Sequence, residues 1–344
     1  MITKMASFKN RLLAPYNGLN VTWYDGWHPA LDEALLSLPE RETCPHELFR
    51  LMIQNPGSTP KRIALVTKQE TPLAIIPLRQ LGRWNYEVST WMIPGAMFPA
   101  KTENMIPALE ALKNEIWVNW RGMENPSPSS RLIRYSITTP LHLIRCSDDY
   151  ERYWREKHHF KTVRKIRNRC KDFSLIVNSP GSAEWTIRNA ADKWRNDPKA
   201  VGRGLDDWVV SDWVVAANHL ENLGRHYTLM LFDKDIPIGG STLFVLRNCA
   251  VGGLIYRKPE YNWYGVGSRL LDLCISFAAE SGFEILDLGG AADYKNHWAP
   301  REEEFLLFKL CPEPLFRAKQ AANWAREAKE KLINRVRGNR VHPD

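Results

Sequence analysis

The sequence predicts an α/β protein in which a mixed, mostly antiparallel sheet is flanked by helices. Three observations predict it. Short apolar runs bounded by turn residues recur in both halves of the chain. Three such runs follow one another between His226 and Arg257 with only short polar turns between them, which makes an antiparallel meander. Between strand runs stand segments with apolar residues every three or four positions, which is helical spacing.

The 344 residues make about two domains at roughly 100–200 residues each. With 44% hydrophobic and 25% charged residues the composition is globular. There is no long apolar run to span a bilayer, and Met1–Asn20 lacks a signal-peptide core, so the expectation is a cytoplasmic protein with no stable membrane insertion. Cys44, Cys146, Cys170, Cys249, Cys274 and Cys311 form no Cys-x-x-Cys pair and have no histidine at zinc spacing. They read as reduced, mostly packed thiols, and no metal site is expected. The net charge of +8 attracts anions of any kind and does not choose among them.

Residues 1–145 read as one α/β unit. Ile63–Thr67 and Leu73–Leu78 are apolar runs around the polar Lys68–Pro72, which predicts a hairpin. Trp84–Trp91 adds a strand, Thr102–Trp117 a helix and Gly122–Ser130 a loop. Asp148–Asp172 carries nine Lys and Arg residues, from Arg152 to Lys171, with Phe160, Val163, Ile166 and Cys170 recurring at helical spacing. It reads as one basic amphipathic helix, either a solvated face or an anion-contacting surface. Ser182–Asn196, with Ser182 as N-cap, and Asp206–Leu223 are two further helices joined by a mobile linker, Asp197–Gly204. The meander His226–Phe232, Pro237–Leu246 and Cys249–Arg257 comes next. A loop at Tyr261–Gly267 leads into a helix at Ser268–Ser281, a buried strand at Phe283–Gly289, an irregular loop at Ala291–Pro300, a strand at Glu304–Leu310 and a basic amphipathic helix at Phe316–Arg337.

The informative segment is Asn262-Trp263-Tyr264-Gly265-Val266-Gly267-Ser268, between a strand and a helix. The first N–H groups of a helix have no partner within it, and the helix dipole puts positive charge there. Gly265 and Gly267 let an anion approach the backbone closely, so the segment can cradle a diphosphate. A Rossmann loop needs a third glycine and a parallel opening, and a P-loop needs Gly-Lys-Ser/Thr. Neither is present.

This order of elements resembles the GNAT acyltransferase fold, whose diphosphate loop reads Gln/Arg-x-x-Gly-x-Gly/Ala. Asn262 stands where Gln or Arg is usual. Phe160–Cys170, Leu286–Gly290 and Asp293-Tyr294-Lys295 resemble the BioF2-like or CelD-like acetyltransferase branch, related to the FemAB peptidyltransferases, which pair two GNAT-like domains. The resemblance implies two tandem GNAT-like halves. The expected domains are an N-terminal half at 1–145, an acyl-CoA-binding catalytic domain at 146–312, and a basic helix and tail at 313–344. It implies acetyl-CoA or another acyl-CoA as co-substrate, held by Leu254, Ile255, Tyr256, Asn262, Gly265, Val266, Gly267 and Ser268, with backbone N–H groups near Leu254–Tyr256 polarising the thioester carbonyl.

Acyl transfer to an amine needs a base for the amine and an acid for the leaving thiolate. Asp287 sits on a buried strand and suits a general base working through water, or a structural carboxylate that fixes the loop of Tyr294 and Lys295. Tyr294 suits the acid or an aromatic wall. Lys295 suits a stabiliser of developing charge or a surface cation, and Tyr256 is a second acid candidate. His297 and Trp298 shape the pocket mouth. The resemblance implies an N-acyltransferase acting on a small amine or amino sugar, by association in polysaccharide or envelope biosynthesis. Two readings compete with it. One is a FemAB-like aminoacyl-tRNA-dependent transferase, favoured by the basic helix and the net charge, with tRNA as partner; an acyl carrier protein is a separate possible partner. The other is a non-catalytic binding protein on a degenerate scaffold, favoured by Asn262.

Overall fold

The computed structural model describes residues 18–40, 45–58, 62–82, 85–88, 98–113, 117–122, 136–196, 206–246, 248–290, 293–310, 321–322, 324–325 and 328–329. The chain begins with β1 (Leu19–Asp25), α1 (Ala30–Ser37), α2 (His46–Gln54), β2 (Arg62–Lys68), β3 (Thr71–Gly82), β4 (Asn85–Val88), α3 (Thr102–Lys113) and β5 (Trp117–Gly122). The predicted hairpin is β2–β3, paired antiparallel out to Lys68↔Thr71. Gln69 and Glu70 take φ of 47° and 68°, the twist a tight hairpin turn requires. The helix predicted to run to Trp117 ends at Lys113, and Trp117 opens β5 instead. Trp117, Val118 and Trp120 are residue types that favour strands.

The second part runs β6 (Ser136–Arg145), α4 (Tyr150–Glu156), α5 (Phe160–Arg169), β7 (Ser174–Val177), α6 (Ser182–Asn196), α7 (Asp207–Asn222), β8 (His226–Asp233), β9 (Ile236–Leu246), β10 (Cys249–Arg257), α8 (Val266–Glu280), β11 (Ile285–Gly290) and β12 (Arg301–Leu310). The meander and the helices around it match the sequence reading. The single basic helix does not: it is two helices, α4 and α5. His158 takes a φ of 55° and ends the first. His159 N–H donates to Trp154 O at 2.7 Å and His158 N–H to Arg155 O at 3.0 Å, the paired closure that stops a helix. Asp206 precedes α7, but its carboxylate accepts from the Trp208 indole at 3.1 Å rather than capping. Ser182 lies buried, its hydroxyl without a partner among the described residues. The predicted loop after Gly122, the linker after Asn196 and most of the last helix lie outside the described residues.

Among the described residues, twelve strands form one sheet in the order β1-β2-β3-β4-β5-β12-β6-β11-β10-β9-β8-β7. Two runs, β1–β5 and β7–β11, mirror each other. Each is antiparallel except at its last pair, β4–β5 and β10–β11, which are parallel. The runs exchange their closing strands. β6 follows β5 in the chain yet pairs with β11, and β12 follows β11 yet pairs with β5.

Among the described residues three apolar cores fill the layers. One lies under α1, α2, α6 and α7 and joins both runs across one face of the sheet. The second packs α3 against the first run. The third packs α4, α5 and α8 against the second. Leu270, Leu271, Cys274 and Ala278 form the buried stripe of α8, and each large side chain so buried contributes about 1.5–3 kcal/mol.

Candidate active site

The parallel pair β10–β11 holds together only over Cys249↔Ile285, Ala250↔Leu286 and Val251↔Asp287. Beyond Val251 the strands part, and β10 runs on to Arg257. A bulge between Gly252 and Ile255 helps turn β10 away. It is fastened by Thr242, whose Oγ1 accepts from Leu254 N–H at 2.8 Å. A cavity of about 650 Å³ opens in the gap. Gly252, Gly253, Ile255 and Arg257 form its β10 wall, Leu288 its β11 wall, and Ser268, Leu271 and Cys274 its floor on α8. Lys193 and Trp194 reach it from α6, across the sheet from His159 and Trp298. The opening therefore joins the two faces of the sheet.

At one end lies the glycine turn. A 3-10 turn over Pro259–Tyr264 ends at Gly265, whose φ of +79° is a conformation that side chains avoid. α8 starts at Val266, which is fully buried in the core and does not line the cavity, whereas Gly265, Gly267 and Ser268 do. A Cβ on Gly267 would lie 3.1 Å from Arg257 Cδ, so the guanidinium arm crosses the first turn of α8. Arg257 Nε donates to Asn262 Oδ1 at 2.7 Å. The departure at Asn262 thus has a physical counterpart: the shorter amide holds an arginine at the mouth of the turn. Sequence reasoning missed Arg257, although its two-residue spacing from Ile255 put both on one strand face.

The other predicted residues divide. Ile255, Asn262, Gly265, Gly267, Ser268, Tyr294 and Lys295 meet at the cavity, with His297 and Trp298. Leu254 and Tyr256 do not line it. They face the opposite core, where Tyr256 packs edge-on to Trp185 at 5.2 Å. The Leu254 amide is bonded to Thr242, so it is not free to polarise a carbonyl. Asp287 is also off the wall. It is 3% exposed, and its Oδ1 accepts from Gly289 N–H at 2.6 Å, closing the turn at the end of β11. Lys295 Nζ donates to Leu288 O at 2.6 Å. Burial lowers the Lys295 pKa, and the nearby Asp287 opposes that shift. Burial pushes the Tyr294 phenol up, and Arg257 pulls it back.

Sequence reasoning also missed His159. It lines the cavity, stacks on His297 at 5.5 Å and meets Trp298 edge-on at 4.7 Å. Its Nε2 has no partner among the described residues. Burial, then the neighbouring His297, lowers its pKa and keeps the ring neutral. Cys274 under the floor is wholly buried, which pushes its thiol up to about 12 and leaves it inert at neutral pH. Among the described residues no cluster of His, Cys, Asp and Glu is arranged to hold a metal, and no helix is long and apolar enough to cross a membrane.

The basic segment is anchored rather than merely solvated. Arg167 grips the buried Asp272 of α8 with Nη2–Oδ1 at 2.7 Å and Nε–Oδ2 at 3.0 Å, and its Nη1 reaches Glu151 at 3.1 Å. Arg269 also bonds Asp272. These carboxylates raise the Arg167 pKa. Lys161, Arg164 and Lys165 point outward, exposed and without partners among the described residues.

A parted parallel pair beside a glycine turn that opens a helix is the arrangement of the GNAT fold. Consistent with it, residues 152–296 match the family model described as an acetyltransferase (GNAT) domain. No curated protein matches the chain by sequence. Among solved structures, FemX is similar at 10% identity, covering 86% of this chain and 99% of that one with a TM-score of 0.51. A conserved protein of unknown function from Bacteroides thetaiotaomicron VPI-5482 is similar at 9% identity, covering 85% and 100% with a TM-score of 0.52. At such identities these likenesses show the fold alone.

Proposed function

We propose that this chain is an N-acyltransferase that moves an acyl group, acetyl in the simplest case, from coenzyme A to an amine such as an amino sugar. The observation that carries this reading is the parted β10–β11 pair ending at a glycine turn crossed by Arg257. The residues fit the donor. Helix N–H groups at Gly267 and Ser268 and the Arg257 cation suit a diphosphate. The apolar wall of Ile255, Leu271 and Leu288 suits the pantetheine arm. The amine enters from the Lys193–Trp194 side and attacks the thioester carbonyl carbon. The C–N bond forms and the C–S bond breaks. Tyr294, protonated at neutral pH, donates its proton to the departing thiolate, and the amine proton leaves through water. Asp287 acts as a positioning residue that fixes the loop of Tyr294 and Lys295. The parallel to the BioF2-like branch belongs to this proposal.

Titration calorimetry with acetyl-CoA and free coenzyme A tests it. Wild type should bind saturably, and Gly267→Trp, which fills the first turn, should lose binding while keeping its circular dichroism. Arg257→Gln, which leaves the glycines of the turn in place, should weaken binding about 10-fold, the scale of one charged hydrogen bond. Absence of binding in the folded wild type would sink the reading. The exposed Lys161, Arg164 and Lys165 favour a second one, aminoacyl transfer from tRNA. It requires tRNA affinity that falls steeply with salt.

A further inference from the structure

Trp263 is 73% exposed, an unusual position for so large an apolar side chain, and it lies in the 3-10 turn two residues before Gly265. It is held in place. The Arg169 guanidinium lies 4.7 Å from its ring centroid, and Arg169 Nη1 donates to the Trp263 carbonyl at 3.2 Å. The next residue is pinned as well: Tyr264 packs edge-on to Phe173 at 5.2 Å, and its carbonyl accepts from Cys170 Sγ at 3.4 Å. The indole is therefore a fixed ring, backed by a cation and otherwise open to solvent. On α5, Thr162, Lys165 and Arg169 share one flank by their spacing of three and four. That flank runs from His159 at the cavity to Trp263, and Lys165 on it is exposed and unpaired among the described residues. Cavity, glycine turn, cations and indole thus lie in order along one path.

We propose that Trp263, backed by Arg169, is the stacking platform for the adenine ring of a coenzyme A donor whose diphosphate lies at the Gly265–Gly267 turn. This chain then selects nucleotide-bearing thioesters over the same acyl-phosphopantetheine arm carried on a protein. A purine offers a flat π-face of the size an indole stacks, and the phosphates match the cations beside it. The inference rests on the acyl-CoA reading and adds to it which end of the donor is recognised.

The test compares binding of coenzyme A, 4′-phosphopantetheine and adenosine 3′,5′-bisphosphate to wild type, Trp263→Ala and Trp263→Phe. The substitutions fall on an exposed ring, so the fold is retained. Trp263→Ala should weaken coenzyme A about 10-fold, the scale of one lost base stack, and leave phosphopantetheine unchanged. Trp263→Phe should recover most of the loss. The bisphosphate should displace coenzyme A from wild type and lose that ability in Trp263→Ala. Equal coenzyme A affinity in wild type and Trp263→Ala would overturn the inference and leave the acyl-CoA reading standing. So would an equal loss for coenzyme A and phosphopantetheine. A wild type that binds none of the three compounds overturns both, and salt-sensitive tRNA binding that depends on Trp263 would reassign the platform to a nucleic acid.

Discussion

The two runs of the sheet have the same strand order and the same parallel last pair, but they differ after the fourth strand. In the second run β10 leads through a 3-10 turn straight to Gly265 and α8, and the pair parts around a cavity. In the first run β4 is followed by residues 89–101 before α3 begins, and that stretch carries a single glycine, Gly95. The sheet supplies a place where a ligand can enter. The glycine turn, the arginine across it and the aromatic loop opposite are the features on which the proposed site rests. The repeated strand order is thus not matched by a repeated Gly-x-Gly at that place in the sequence.

The comparison can be broken first at the helix that carries the site. Asp272→Ala removes the carboxylate that neutralises Arg167 and Arg269. The arginines left behind are a quarter to a third exposed and Arg167 keeps Glu151, so the cost is that of the lost charged hydrogen bonds, about 3 kcal/mol. Urea unfolding should show this as a lower midpoint. One shared transition means that the core common to both runs keeps them cooperative, and an early separate transition means that the second run melts alone. A smaller effect is expected at the joint between the runs. Asp212 on α7 accepts from Asn55 Nδ2 at 2.7 Å and from Ser58 Oγ at 2.8 Å. Asn55→Ala should cost about 1.5 kcal/mol, the scale of one lost hydrogen bond to a carboxylate, with the coenzyme A titration unchanged.

The smallest effect is a slope with pH. His226 is fully buried against Phe244, and burial lowers its pKa, with Glu221 opposing that shift. The unfolded chain takes up a proton at about pH 6.5, where the folded chain does not. Its contribution is therefore complete above about pH 6.5 and is lost as pH falls. The melting temperature should decline from pH 7.5 to 5.5, and His226→Gln should flatten that decline. An unchanged slope would mean that other groups carry it.

Much of the fold was legible in the sequence because it is local. The meander is written in short apolar runs between turn formers, the hairpin in Lys68–Pro72, and the start of α8 in Gly265-x-Gly267. The hidden features depend on contacts between distant residues. The break at His158 is masked because basic and apolar residues keep helical spacing on both sides of it, while the closure that stops α4 is made by backbone groups. The alternation of Ile255, Tyr256 and Arg257 is legible, but which of them faces the cavity and which the opposite core is set by the bulge at Gly252–Ile255. Asp287 looked chemical because a buried carboxylate on a strand is rare, and its bond to Gly289 is invisible before the turn is seen. The exchange of β6 and β12 leaves no periodic trace, since pairing across the sheet is set by register rather than by neighbours in sequence.

That exchange bears on how the chain is made. On a ribosome, β1–β5 emerge long before β12, so the outer edge of β5 stays unpaired until almost the last of the sheet has been synthesised. An open strand edge is a template for the wrong partner, and nascent chains with such edges depend on delay or on chaperones. The first run cannot seal its sheet from its own residues, so maturation of the whole waits on residues 301–310.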